Sequence, residues 1–198
     1  MRLPAFPRPA PPASPRRWCA LAAAVAVGLL VGTQPAQAAE IPFGPYDIPT
    51  VFFIDKTDDH NRVDYGLRLD EHCAPASDTP LFPYWREFEK APPVRTHKLG
   101  TFEYVAYGFK EQRLVRRSEQ ATVFKIELKK IHRPIILTIQ KGADGHCTAV
   151  ARTEISGQPD MVFISAHVVL KGWLKVAYVD VFGRHSATGE PLTERIAN

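Results

Sequence analysis

From Thr50 onward the chain alternates between short apolar runs and polar turns. Val51-Phe52-Phe53-Ile54 is continuous and apolar, the pattern of a strand buried on both sides or lying at a barrel seam. Residues 62–69 alternate cleanly: Val63, Tyr65, Leu67 and Leu69 face one way, and Arg62, Asp64, Gly66 and Arg68 the other. This predicts a half-buried antiparallel strand, hairpinned to 51–54 across the polar turn 55–61. Further strands are predicted over 101–109, 112–117, 123–129, 135–140, 147–155, 161–170 and 173–182. The first of these has an imperfect phase, which suggests a bulge or burial on both faces. Gly-containing turns at 141–145, 157–160 and 171–172 separate the later runs. One short helix is predicted over 83–90, with Trp85 and Phe88 on one face, Pro83 in its first turn and Pro92-Pro93 as its stop. The polar tail, 184–198, either folds back or frays. No helical segments stand between the strands to build parallel crossovers. The predicted fold is therefore all-β: an antiparallel β-sandwich or closed β-barrel of eight to nine strands with one short helix.

The first forty residues follow another pattern. Arg2, Arg8, Arg16 and Arg17 precede an apolar stretch, Trp18 to Val31, and a small-residue site, Ala36-Gln37-Ala38. That is the layout of a secretory signal peptide. The apolar stretch is shorter than the roughly 20 residues that span a bilayer as a helix, so no transmembrane anchor is expected after cleavage. Arg16-Arg17 also admits the twin-arginine route, which the following residues match poorly. The organisation expected is a signal peptide, 1–38, and a single β-rich domain, 39–198, in the periplasm or secreted. All 21 acidic residues follow Ala38, and four of the 25 basic residues precede it. The mature net charge is then zero, and a broad nucleic-acid surface loses its support. Cys73 and Cys147 survive cleavage; in an oxidising compartment they read as one disulfide, and otherwise as two buried thiols.

Nucleotide-binding and hydrolase motifs are absent: no phosphate-binding Gly loop, no Gly-x-Ser-x-Gly elbow, no His-Glu-x-x-His and no Cys-x-x-Cys. No cofactor or metal is expected. The seven histidines have no recognised metal-ligand spacing, although His72 beside Cys73 and His146 beside Cys147 would be brought together by a disulfide. His167, inside an apolar strand, reads as a satisfied half-core histidine. The acidic loop Asp55 to Asn61 lacks the twelve-residue calcium pattern. Pro83-Tyr84-Trp85-Arg86 is the most informative short stretch, because a flat aromatic wall beside a guanidinium can hold an anion or a sugar ring.

Three stretches together carry a resemblance: Ile48 to Lys56; Asn61-x-Val-x-Tyr-Gly-x-x-Leu-Asp-x-x-Cys73; and Pro83-Tyr-Trp-Arg86. On these the chain resembles the bacterial family of domain of unknown function 4833, from about Ile48 to Arg195. Lys56, Asn61, Tyr65, Asp70, Cys73, Trp85 and Arg86 match its pattern. Asp55 stands where the family often has Ser, which makes it a poor candidate for a required group. The resemblance implies a domain boundary and no mechanism. The expected function is binding or structural, in an exported domain of the bacterial envelope. The candidate ligand residues are Trp85, Arg86, Lys56, Tyr65 and Asp70, and the candidate ligand is a small anionic or sugar-containing envelope molecule. The alternative is a periplasmic enzyme, such as a hydrolase acting on envelope material, with a site assembled from Lys56, Asp70, His72, Trp85 and Arg86.

Overall fold

The computed structural model describes residues 48–56, 61–88, 95–171 and 175–197, with Lys56 and Arg95 described in their backbone alone. The segment read as a signal peptide, the Pro-rich lead-in, most of the acidic loop and Pro92-Pro93 lie outside the described residues.

The apolar run and the alternating run pair as expected, but the alternating run is buried on both faces and not half-buried, because its polar side carries a second packed layer. β1 (Thr50–Lys56) and β2 (Arg62–Leu67) are antiparallel, with Ile54 opposite Val63 and Phe53 opposite Asp64. β3 (Leu81–Glu87) lies on the other edge of β2, and β4 (Arg95–Lys98) lies beyond it. After the helix α1 (Thr101–Tyr107), a meander runs through β5 (Phe109–Arg117), β6 (Ala121–Leu128), β7 (Ile135–Lys141) and β8 (Cys147–Ile155). β9 (Gln158–Lys171), β10 (Lys175–Arg184) and β11 (Pro191–Ala197) complete the chain.

β9 joins the two halves. One of its edges pairs antiparallel with β8 near Met161 and Val162, then parallel with β1 over Ser165–Val168. Its other edge takes β10, which in turn carries β11. The remaining order runs β4-β3-β2-β1-β9-β8-β7-β6-β5. The sheet curls until its far end meets β3. There the Gln112 side chain of β5 accepts from Leu81 N at 3.0 Å and donates to Leu81 O at 2.9 Å. A side-chain amide thus replaces a ladder rung at the seam of a partial barrel.

Inside lie Phe52, Tyr65 and Phe163, with Phe52 stacked on Tyr65 at 4.4 Å and 4.9 Å from Phe163. Leu, Ile and Phe side chains of β6 and β7 fill the rest, each contributing about 1.5–3 kcal/mol of burial. Cys73 and Cys147 form a disulfide, with Cα atoms 5.3 Å apart, that ties the β2–β3 connection to the start of β8.

The helix and one strand exchange places relative to the sequence pattern. Residues 81–87 are strand β3, because Trp85 belongs opposite Val63 in the core and Arg86 opposite Arg62 on the far face. Pro83 is tolerated in this strand. By strand alternation its backbone N points the same way as Leu81 N, which meets the Gln112 side chain and not β2, on an edge that β4 covers only from Tyr84, so its missing N–H removes no ladder bond. Residues 101–107 are the helix, although rich in β-formers. Gly100 N donates to Glu103 Oε2 at 2.6 Å, and Gly108 N closes the last turn on Tyr104 O at 2.8 Å. The imperfect phase of this run is helical spacing, with Phe102 and Val105, and Tyr104 and Tyr107, each three apart. The tail folds back as β11, clamped by Arg133, whose Nη1 and Nη2 donate to Glu194 at 2.7 and 3.0 Å.

Candidate functional site

Strand alternation gives the β1–β3 layer two unlike faces. Val63, Tyr65 and Trp85 point into the main core, whereas Arg62, Asp64, Tyr84 and Arg86 lie opposite. That opposite face is also covered, since Asp64, Tyr84 and Arg86 are all buried. The cover is made of aromatic rings and guanidinium groups. Arg62 Cζ stands 4.2 Å from the Phe53 ring centroid and 5.0 Å from that of Phe88. Arg68 stands 5.3 Å from Phe82, whose ring stacks on Tyr84 at 5.9 Å.

Asp64 is held from two sides. Its Oδ1 accepts from Arg62 Nε at 2.7 Å, and its Oδ2 lies 2.7 Å from Arg86 Nε. Arg86 Nη2 donates to the Tyr84 hydroxyl at 3.1 Å, and that hydroxyl lies 2.9 Å from Thr50 Oγ1. Burial holds the Asp64 carboxyl above its ordinary range, against the opposing pull of Arg62 and then Arg86. A charge so placed is tolerated only while both guanidinium groups remain.

Tyr84 carries this network to a groove of about 360 Å³. Phe82, Pro83, Leu99 and Tyr104 complete its apolar wall, and Arg68 and Lys98 supply two cations. Strand register places Lys98 of β4 directly opposite Tyr84, so a cation and an aromatic ring are built side by side. The arrangement suits a small molecule with a ring or apolar body and an anionic group.

A family model described as Domain of unknown function (DUF4833) matches residues 52–195, from β1 into β11. The chain belongs to this family. No curated protein and no solved structure matches the DUF4833 chain.

Within the DUF4833 domain, the residues singled out from sequence do not converge. Trp85 is not on an exposed helix; it is buried on β3, with its ring 6.1 Å from that of Tyr107. Arg86, its neighbour, points to the other face and is likewise buried. Tyr65 is fully buried and donates its hydroxyl to Tyr107 O at 2.7 Å. Asp70 is exposed and caps a turn, accepting from Ala74 N at 2.8 Å and His72 N at 2.9 Å. Those bonds, the one from Ala74 foremost, lower its carboxyl from the ordinary value. Lys56 ends β1, and its side chain is outside the described residues.

The groove residues Arg68, Lys98, Leu99 and Tyr104 were not legible as a site. Tyr84 stood within the notable stretch, and only the alternation of Arg62, Asp64 and Arg68 hinted at a second face. Among the described residues no cluster of three or more His, Cys, Asp or Glu side chains is placed to hold a metal, including the His72 and His146 turns. No described helix is long and apolar enough to cross a membrane. His167 is partnered: its Nδ1 lies 3.1 Å from Asp55 Oδ1, half-exposed on the outer face of β9.

Proposed function

We propose that this DUF4833 chain is exported through cleavage after Ala38, and that its β-rich domain binds a small anionic, ring-bearing molecule of the bacterial envelope. The observation that carries the reading is the groove in which Arg68 and Lys98 stand beside Phe82, Tyr84 and Tyr104. The tripartite N-terminus and the disulfide support an oxidising compartment. Arg86 serves as a positioning residue here: it holds the Tyr84 hydroxyl, and Tyr84 is one of the residues that line the groove.

Calorimetric titration with hexose phosphates and with the parent hexoses tests the reading. Binding of a phosphate ester, with weaker binding of the parent sugar and loss in Arg68→Ala/Lys98→Ala at unchanged melting temperature, is expected. Equal binding by that double variant overturns it. N-terminal sequencing of the exported protein is expected to begin at Ala39, and a membrane-retained N-terminus would contradict export with cleavage.

A second reading, an exported hydrolase, draws on one feature. Asp55 orients the His167 imidazole, and Asp180 lies opposite His167 on β10. Turnover of an envelope ester or glycoside that is lost in His167→Ala with binding retained would favour it over the binding domain.

A further inference from the structure

The most exposed large apolar side chain of the described residues is on α1. Phe102 is 92% exposed, and Val105, one turn on, is 56% exposed. α1 buries none of its residues, so the fold itself gains nothing from placing these two apolar groups outward. Cations stand at both ends of the helix. Lys98 precedes it and is exposed. At the other end Lys129 N donates to Gly108 O at 3.1 Å, which brings the 129–130 turn against the last turn of α1. The Lys129 ammonium lies 4.7 Å from the Tyr104 ring centroid, and Lys130 is exposed beside it. The one acidic side chain of α1, Glu103, is engaged by Gly100 N at 2.6 Å. Lys110 is paired with Glu127 at 3.0 Å and adds little free charge.

An apolar tip between cations matches the interface of an anionic bilayer: apolar groups enter the headgroup–acyl boundary, and ammonium groups meet the phosphates. We propose that α1 docks the domain on an anionic lipid leaflet, with Phe102 and Val105 inserted and Lys98, Lys129 and Lys130 on the headgroups. This goes beyond the ligand reading, since Phe102, Val105, Lys129 and Lys130 do not line the groove. A zero net charge for the mature domain does not oppose it, because attraction falls off within a Debye length and depends on the charges near the surface.

The test is co-sedimentation with phosphatidylcholine vesicles made with and without phosphatidylglycerol. Wild type and variants carry the same N-terminus, so any contribution of the apolar residues 18–31 cancels. Wild type is expected to partition to the phosphatidylglycerol vesicles and to be released by salt. Phe102→Ser/Val105→Ser should reduce partitioning about tenfold or more. Lys129→Gln/Lys130→Gln should reduce it about fivefold per lysine removed. Melting temperature and hexose phosphate binding should not move in either variant, which separates failure here from failure of the groove. Equal partitioning of wild type and Phe102→Ser/Val105→Ser overturns the proposal, as does equal binding to both vesicle types. A lipid-free dimer that Phe102→Ser/Val105→Ser dissociates, without vesicle binding, also overturns it and assigns the tip to a second copy of the chain.

Discussion

β6 and β2 are strands of similar length in one sheet, yet they bury differently. β6 alternates strictly between half-buried and buried positions, with Phe124, Ile126 and Leu128 inward and Lys125 and Glu127 outward. In β2 every residue after Arg62 is buried. On β6 the charges are solvent-facing: Glu127 lies 2.6 Å from Lys125 and 3.0 Å from Lys110, and these ammonium groups pull its carboxyl down to about 2. On β2 the charge is Asp64, enclosed between two guanidinium groups. Polar alternation therefore has two meanings. It marks a wet face on β6 and a second packed layer on β2, and the second layer adjoins the groove.

Removing one partner from the buried layer should have the largest effect. Asp64→Ala, or Arg86→Ala, is expected to cost about 3–5 kcal/mol of stability, since the first takes the carboxylate from beside the buried Arg86 and the second leaves the buried Asp64 with Arg62 as the one guanidinium of the pair. Lys125→Ala on β6 should leave the melting temperature nearly unchanged. Denaturant unfolding of the two classes side by side would break the comparison if they cost the same.

The disulfide comes next. Cys73→Ala/Cys147→Ala is expected to cost about 2–4 kcal/mol, because the bond closes a long loop in the unfolded chain. Non-reducing peptide mapping of the wild type should recover one crosslinked fragment containing both cysteines.

The seam amide ranks third. Gln112→Leu leaves the N–H and C=O of Leu81 without their present partner and should cost about 1–3 kcal/mol. Amide exchange should quicken at Leu81 in that variant while β7 stays protected.

Acid should act most gently, and on one side of the comparison. Glu194 is held below its ordinary value of 4.5, chiefly by its bond from Arg133. Asp180 is held below 3.8, chiefly by Arg195. Folded values lower than unfolded ones mean that this stabilisation is complete above about pH 5 and is lost as pH falls through the lowered values. Asp64 works in reverse: its raised folded value favours the folded state as it is protonated. Hydrogen exchange below about pH 4 should therefore loosen β11 first, while the packing of β2 on β3 persists.

Much of this architecture was legible in the chain. Strict alternation along 123–129, and the Gly-bearing turns after 140 and 156, gave the meander because each of those strands has one wet face. The β1–β2 hairpin was legible for a related reason: its inward set, Val63, Tyr65 and Leu67, is apolar without exception. The two-sided layer was harder. Aromatic and charged residues in 81–88 satisfy a helical spacing as well as a strand buried on both faces, and only the partners Val63 and Arg62 decide between them. α1 was obscured by its β-forming composition; local bonds at Gly100, Glu103 and Gly108 set it, and these depend on backbone geometry. The candidate site was least legible. Arg68 and Lys98 are thirty residues apart and meet only through the β2–β3–β4 register, whereas adjacent Trp85 and Arg86 are sent to opposite faces by the pleat.

The groove is the part of this account most directly open to measurement. Amide chemical shifts can be followed while a hexose phosphate that binds the wild type is titrated into the protein. The shifts should concentrate at Arg68, Phe82, Tyr84, Lys98, Leu99 and Tyr104, with smaller changes along Arg86 and Thr50 through the Tyr84 hydroxyl. Shifts centred instead on His167 and Asp180, or on the 141–146 turn, with the groove unmoved, would contradict the assignment of this face as the binding site.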